Sequence, residues 1–183
     1  MSERTRARRV LVTGFPAVGK STVCRLVAEG LSRSALIEAD VVRESIVGGF
    51  AEPHLSFPDA FVEQIRLQRD IVNFWIDRMV DAGYHAVVDD APIPPRPLFQ
   101  RDYAKLLADP TSVPILLTAS KEAIRSRLVA RNGPFDDWFQ ENLDELIRPL
   151  EAPSGDDTWD SWTIIDTTDV TPREAAALIL ERF

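Results

Sequence analysis

The sequence predicts a three-layer α/β/α domain on a five-stranded, mostly parallel sheet. Three observations carry that prediction. Five short runs of β-branched and aliphatic residues alternate with segments of helical period, the pattern that right-handed strand–helix–strand units require. The first run opens into a glycine-containing loop and passes directly into a helix. With 183 residues, 45% of them hydrophobic, the chain supplies one core and can bury roughly 70% of its unfolded surface.

Val10-Leu11-Val12-Thr13 reads as a strand buried on both faces, ended by Gly14. From Ser21, the apolar positions Val23, Leu26, Val27 and Leu31 recur at helical spacing until Gly30 and Ser32 interrupt them. Residues 35–39 form the second strand, which delivers Asp40 to its C-terminal end; a short helix over 41–47 follows and stops at Gly48-Gly49. Between 59 and 82, Phe61, Ile65, Val72, Trp75, Ile76 and Met79 share one side of a long amphipathic helix, with Gly83 in the stop position. The third strand is His85 to Asp90, the fourth Val113 to Leu117 and the fifth Trp162 to Asp166, with a helix around 98–107 between the third and fourth. After the fourth strand come a helix over about 121–131, the break Asn132-Gly133-Pro134 and a helix over 138–147. Together they have the form of a movable lid spanning about 125–148. Thr171-Pro172-Arg173-Glu174 is a capping box with proline at the first helical position, and it opens the last helix.

Bulk chemistry narrows the function classes. The 21 Lys and Arg against 29 Asp and Glu give a formal charge of −8. A long polyanion would be repelled, and nucleic acid is not an expected partner. Cys24 is the single cysteine and there are two histidines, which excludes an intramolecular disulfide and leaves too few ligands for a Cys- or His-based zinc site. Residues 1–9 are basic and run straight into the first strand, without the long apolar stretch and cleavage site of a signal peptide. They are expected to form a solvated tail. No run approaches the ~18 apolar residues that cross a bilayer. A single cytoplasmic domain over residues 1–183 is therefore expected, with no internal repeat and no membrane contact; no pattern encodes the oligomeric state.

Gly14-Phe15-Pro16-Ala17-Val18-Gly19-Lys20-Ser21 matches the phosphate-loop pattern G-x-x-x-x-G-K-[ST] and lies between a predicted strand and a predicted helix, as its chemistry requires. The glycines let backbone N–H groups converge on a β-phosphate, and the helix N-terminus adds partial positive charge. Lys20 would reach the β and γ oxygens, Ser21 would ligate Mg²⁺, and Thr22 would support the α-phosphate. ATP is the expected ligand, with GTP as the alternative because no base-reading motif stands out.

Asp40 and the pair Asp89-Asp90 fall at the carboxyl ends of predicted strands, where ligands of such sheets bind. Asp40 is a candidate general base for an attacking hydroxyl. Asp89 is a candidate for holding Mg²⁺ through water, and Asp90 for either job or for substrate. Helix capping or simple solvation is the alternative for each. Arg43 lies one helical turn after Asp40, placed to grip an anionic group or the transferring phosphate. Arg127 and Arg131, four residues apart on the first lid helix, share a face that can close on the phosphates; otherwise they form a solvated basic stripe. Arg125 points elsewhere, and Arg148 lies beyond the second lid helix.

Taken together, the phosphate loop, Asp40-Val41-Val42-Arg43, the strand end Val88-Asp89-Asp90 and the lid pair Arg131-Asn132 resemble the small P-loop kinases of the P-loop NTPase superfamily. The chain is similar to the chloramphenicol phosphotransferases in length, in the Asp-Asp strand end and in Ile165-Asp166-Thr167-Thr168 before the last helix. That resemblance implies Asp40 as general base, Lys20 and Arg131 on the phosphates, and ATP as donor. It is similar to the 5′-hydroxyl polynucleotide kinases in the Asp40 and Arg43 element and in Arg131-Asn132.

The run Pro92-Ile93-Pro94-Pro95-Arg96-Pro97 departs from both groups and is expected to form a rigid acceptor wall that places Arg96 near the substrate; a polyproline ligand for a partner domain is the alternative. Phe50, His54, Phe57 and Trp75 are candidates for stacking on an acceptor ring or for the core. The expected activity is transfer of the γ-phosphate of ATP to a hydroxyl of a small metabolite or antibiotic. A kinase of nucleic-acid ends or nucleotides, with a groove of Arg96, Arg101 and Lys105, and a nucleotide-dependent regulatory protein are the alternatives.

Overall fold

Both faces of the first strand, β1 (Arg9–Gly14), are buried. Val10 and Val12 pack into one core and Leu11 into another, because successive side chains of a strand alternate, and none of the three is exposed. In the computed structural model, residues 6–92, 96–151 and 162–183 are described, without the side chains of 96–98 and 149–151. The strands β2 (Ser34–Glu38), β3 (His85–Asp89), β4 (Ser112–Thr118) and β5 (Thr163–Asp166) complete a sheet ordered β2-β3-β1-β4-β5. Every pairing is parallel, where the sequence suggested a mostly parallel sheet.

The helices are α1 (Lys20–Gly30), α2 (Ala39–Glu44), α3 (Asp59–Asp81), α4 (Arg96–Asp102), α5 (Ala104–Leu107), α6 (Lys121–Arg131), α7 (Asp136–Glu141), α8 (Leu143–Glu151) and α9 (Pro172–Leu180). One core joins Val27 of α1, Leu128 of α6, Leu143 of α8 and Ile179 of α9 to the sheet; the other joins Val72 and Ile76 of α3, Phe99 of α4 and Leu106 of α5. Burying each such side chain stabilises by roughly 1.5–3 kcal/mol, so packing on the sheet, more than helix propensity, holds these helices. The last helix opens with the capping box expected at Thr171 and Glu174. No helix among the described residues is long and apolar enough to cross a membrane.

Several boundaries differ from the sequence expectation. Arg8 and Arg9 do not belong to a solvated tail. Arg9 starts β1 and pairs with Asp77 (3.5 Å) and Asp109 (3.2 Å), while Arg8 donates to the carbonyls of Arg182 (2.6 Å) and Phe183 (3.4 Å). The expected helix over 41–47 begins earlier, at Ala39. The segment 98–107 is two helices parted at Tyr103, whose hydroxyl turns inward to Asp90 (3.0 Å). The second lid helix is also two, parted at Asn142, whose side-chain amide donates to the Trp138 carbonyl (2.8 Å). Trp75 and Met79, expected on the buried side of α3, are 40% and 39% exposed. Gln68 and Arg69 take buried positions on that helix instead.

The chain leaves β1 for β2, returns to β3 beside β1, and then crosses to β4 on the other flank. Ligands of open parallel sheets bind at such a switch, outside the carboxyl ends of the strands. Gly14, Glu38 and Asp89 end β1, β2 and β3 there.

Candidate active site

The phosphate loop is shaped by what surrounds it. A Cβ on Gly14 would stand 2.3 Å from the Leu117 carbonyl oxygen of β4, so a larger residue would push the loop off the sheet. Gly19 caps α1 with φ of 100°, a conformation that glycine adopts at little cost. No side chain caps α1 and no acidic residue occupies its first turn. The first N–H groups of the helix, which have no intrahelical partners, are thus left without a side-chain acceptor and suit an anion. Lys20 Nζ rests 3.4 Å from the Phe15 carbonyl, a long bond that leaves the ammonium available. These features fit the phosphates of a nucleoside triphosphate.

Behind the loop, Ser21 Oγ donates to Asp89 Oδ2 at 2.6 Å. Asp89 ends β3 opposite Val12 of β1, and this register brings its carboxylate to the first turn of α1. A hydroxyl and a carboxylate suit a hard cation such as Mg²⁺. Among the described residues no cluster of three or more His, Cys, Asp or Glu side chains could hold a metal. A cation here would depend on Ser21, Asp89 and phosphate oxygens together.

Asp90 borders the same cleft but is tied from behind. Its carboxylate accepts from Arg69 Nε (3.0 Å), Tyr103 Oη (3.0 Å) and Gln68 Nε2 (3.2 Å), and its carbonyl accepts from Thr13 Oγ1 (2.9 Å). Burial opposes the charge on Arg69, yet Asp90 and Asp102 outweigh it and hold the guanidinium firmly protonated. Burial pushes the Tyr103 hydroxyl well above its ordinary pKa, and the Asp90 charge adds to the shift. Asp90 thus supports the site wall through a buried network, which the sequence did not anticipate.

Asp40 stands exposed on the first turn of α2, and Arg43 follows one turn later. The Arg43 guanidinium lies over the rings of Phe50 (4.5 Å) and Phe61 (5.3 Å) and donates to the Ala51 carbonyl (3.0 Å). Burial lowers its pKa, against the opposing pull of Asp40, Glu44 and Asp90. Phe135 stacks on Phe50 at 6.5 Å, and Phe139 meets Phe15 edge-on at 5.8 Å. The lid therefore touches both the loop after α2 and the phosphate loop.

The two lid arginines diverge. Arg131 Nε donates to Asp136 Oδ2 (2.9 Å) and Nη2 bonds the other oxygen, which holds Arg131 at the cleft beside Lys20, Ser21, Asp40, Arg43 and Asp89. This cleft encloses about 320 Å³. Arg127 instead donates to the Thr167 carbonyl (2.6 Å) and hydroxyl (3.1 Å). It borders a separate recess of about 200 Å³ with Val18, Gly19 and Val170.

Of the other sequence candidates, the Arg96 side chain and residues 93–95 of the proline run lie outside the described residues. His54 is exposed and bonded to Ser56 (2.8 Å), Phe57 packs on Phe61 (6.3 Å), and Trp75 sits on the outer side of α3. Phe50 does reach the cleft. Gln68, Phe135 and Phe139 were not singled out from the sequence, and Thr167 entered only as part of the Ile165-Asp166-Thr167-Thr168 resemblance.

A phosphate loop at the C-terminal edge of this parallel sheet, beneath a helical lid, defines a P-loop domain of kinase-like fold. A family model described as AAA domain matches residues 10–148, and the chain belongs to that family. Among solved structures, the tunicamycin resistance protein of Deinococcus radiodurans is similar at 16% identity and a TM-score of 0.67, covering 97% of this chain and 95% of that one. The shikimate kinase of Acinetobacter baumannii, solved with shikimate, is 18% identical with a TM-score of 0.63, covering 96% and 92%. A sugar kinase from a Janibacter species is 21% identical with a TM-score of 0.60, covering 96% and 91%. At these identities the likeness is one of fold. No curated protein sequence matches the chain significantly.

Proposed function

We propose that the chain is a single-domain cytoplasmic kinase that moves the γ-phosphoryl group of ATP onto a hydroxyl of a small molecule. One observation carries this reading: Lys20, the Ser21–Asp89 pair, Asp40 and Arg131 border one cleft. The acceptor oxygen forms a bond to the γ-phosphorus as the bond to the β–γ bridging oxygen breaks, and ADP leaves with that electron pair. Asp40 takes the hydroxyl proton. Lys20 and Arg131 offset charge on the transferring group. Mg²⁺, when bound, neutralises phosphate oxygens, and Ser21 and Asp89 are the groups that would hold it. Arg127 and Thr167, beside Val18 and Gly19, border the recess proposed for the nucleoside end of ATP.

A small acceptor is supported by the size of the cleft and by a fold shared with a sugar kinase and a shikimate kinase. A nucleic-acid acceptor is disfavoured by the basic residues near α4 and α5. Lys105 pairs with Asp77 (2.6 Å) and Arg101 with Asp102 (3.4 Å), which weakens any phosphate-binding track.

The test is transfer of labelled γ-phosphate from Mg-ATP into a pool of small hydroxylated metabolites and antibiotics and into a pool of 5′-hydroxyl oligonucleotides. Label in the first pool supports the proposal, label in the second alone reassigns the acceptor, and ATP binding without label in either favours a regulatory role.

A further inference from the structure

The charge balance of the cleft and one unpaired buried oxygen limit what the acceptor can be. Among the described residues, three cations border the cleft, Lys20, Arg43 and Arg131, and they face five carboxylates, Asp40, Glu44, Asp89, Asp90 and Asp136. The formal balance is −2. Adding Arg69 and its second partner Asp102, which lie behind Asp90, leaves it unchanged. The cations are also engaged. Arg131 is held by both oxygens of Asp136, Arg43 lies between two rings and donates to the Ala51 carbonyl, and Lys20 belongs to the phosphate loop. A carboxylate, sulfate or phosphate on the acceptor would enter a site of its own sign among the described residues, next to a triphosphate that itself draws on Lys20 and Arg131.

Gln68 supplies the second constraint. It is 1% exposed and borders the cleft from α3. Its Nε2 donates to Asp90 Oδ1 (3.2 Å), which orients the amide so that Oε1 is the acceptor, and that buried oxygen has no hydrogen-bond partner among the described residues. Buried polar atoms are almost always satisfied, and only a donor can satisfy this one. The same cleft is also lined by the apolar side chains of Phe50, Phe61, Ile65, Phe135 and Phe139.

We propose that the acceptor is a ring-bearing alcohol with no anionic group, whose ring lies against the Phe50–Phe135 wall and whose second O–H or N–H group donates to Gln68 Oε1. The proposal rests on the kinase reading above and makes Gln68 a specificity-determining residue.

ADP release from Mg-ATP is measured with a panel of neutral, cationic and anionic hydroxyl compounds. The panel includes three matched probes: 1,4-benzenedimethanol, its mono-methyl ether, and 4-(hydroxymethyl)benzoate. The diol is expected to exceed the benzoate in kcat/KM by about tenfold or more, and to exceed the ether by a similar factor because the ether offers Gln68 no donor. Gln68→Met should raise the KM for the diol and erase the difference between diol and ether. The comparison of diol and ether in the unaltered enzyme stands even if Gln68→Met fails to fold. Turnover of anionic acceptors at or above their neutral partners, or equal use of diol and ether, would overturn the proposal while leaving the kinase intact. No ADP release with any compound would overturn the kinase reading and this proposal with it.

Discussion

Ser21 Oγ donates to Asp89 Oδ2 at 2.6 Å, joining the first turn of α1 to the end of β3. The bond orients both groups toward the phosphate loop, as partners of a cation site commonly orient one another. Asp89→Asn should lower activity by roughly 10- to 100-fold at limiting Mg²⁺, with part of the loss recovered at high Mg²⁺. Initial rates across a Mg²⁺ titration check this. A loss independent of Mg²⁺ would detach Asp89 from the metal.

Asp40 borders the cleft from α2, apart from the phosphate loop in sequence. Asp40→Asn keeps the size and removes the proposed base, so transfer should fall by ~10² to 10⁴ while ATP affinity changes little. Isothermal titration with ATP beside single-turnover transfer separates the two. Full transfer in the variant would mean that another group takes the hydroxyl proton.

Arg69 is fully buried between Asp90 (3.0 Å) and Asp102 (3.1 Å). Arg69→Met fills a similar volume but strands two carboxylates, and removing one partner of a buried ion pair costs about 3–5 kcal/mol. For a chain of this length that corresponds to a fall in Tm of roughly 6 to 20 °C, measurable by circular dichroism. Asp90→Asn combined with Arg69→Met should restore part of the loss, since fewer unpaired charges remain.

The strands and the phosphate loop were legible because their signals are local: continuous apolar runs for β1 to β5, and fixed spacing from Gly14 to Ser21. The strand order was not, because it depends on where each crossover passes. The lid arginines show the same limit. Arg127 and Arg131 are one helical turn apart, but Thr167 at the end of β5 draws one head and Asp136 the other. Gln68 and Arg69 did leave a trace. They sit at helical spacing between Ile65 and Val72 inside the apolar stripe of α3, and polar residues at such positions signal a buried network. The contact of Arg43 with Phe50 and Phe61, and of Phe50 with Phe135, left none, since these rings come from a loop, α3 and the lid.

Asp136 adds a pH dependence whose sign follows from its partners. Hydrogen bonds from Arg131 lower its pKa below the ordinary 3.8, burial opposes the shift, and the Gly133 N–H (2.7 Å) adds to the lowering. The folded state thus releases this proton more readily than the unfolded chain. The stabilisation is present above the unfolded value of 3.8 and is lost as the pH falls through the lower folded value. Arg131 is half exposed, so solvent screens the pair and about 1 to 2 kcal/mol is expected near neutral pH. Asp136→Asn should then lower Tm by roughly 2 to 8 °C at pH 7, and the gap to the unaltered protein should close as the pH drops below about 4. Thermal unfolding of both proteins between pH 7 and pH 3 decides it. A gap of constant size would place the stabilisation in packing of the lid turn and not in the carboxylate charge.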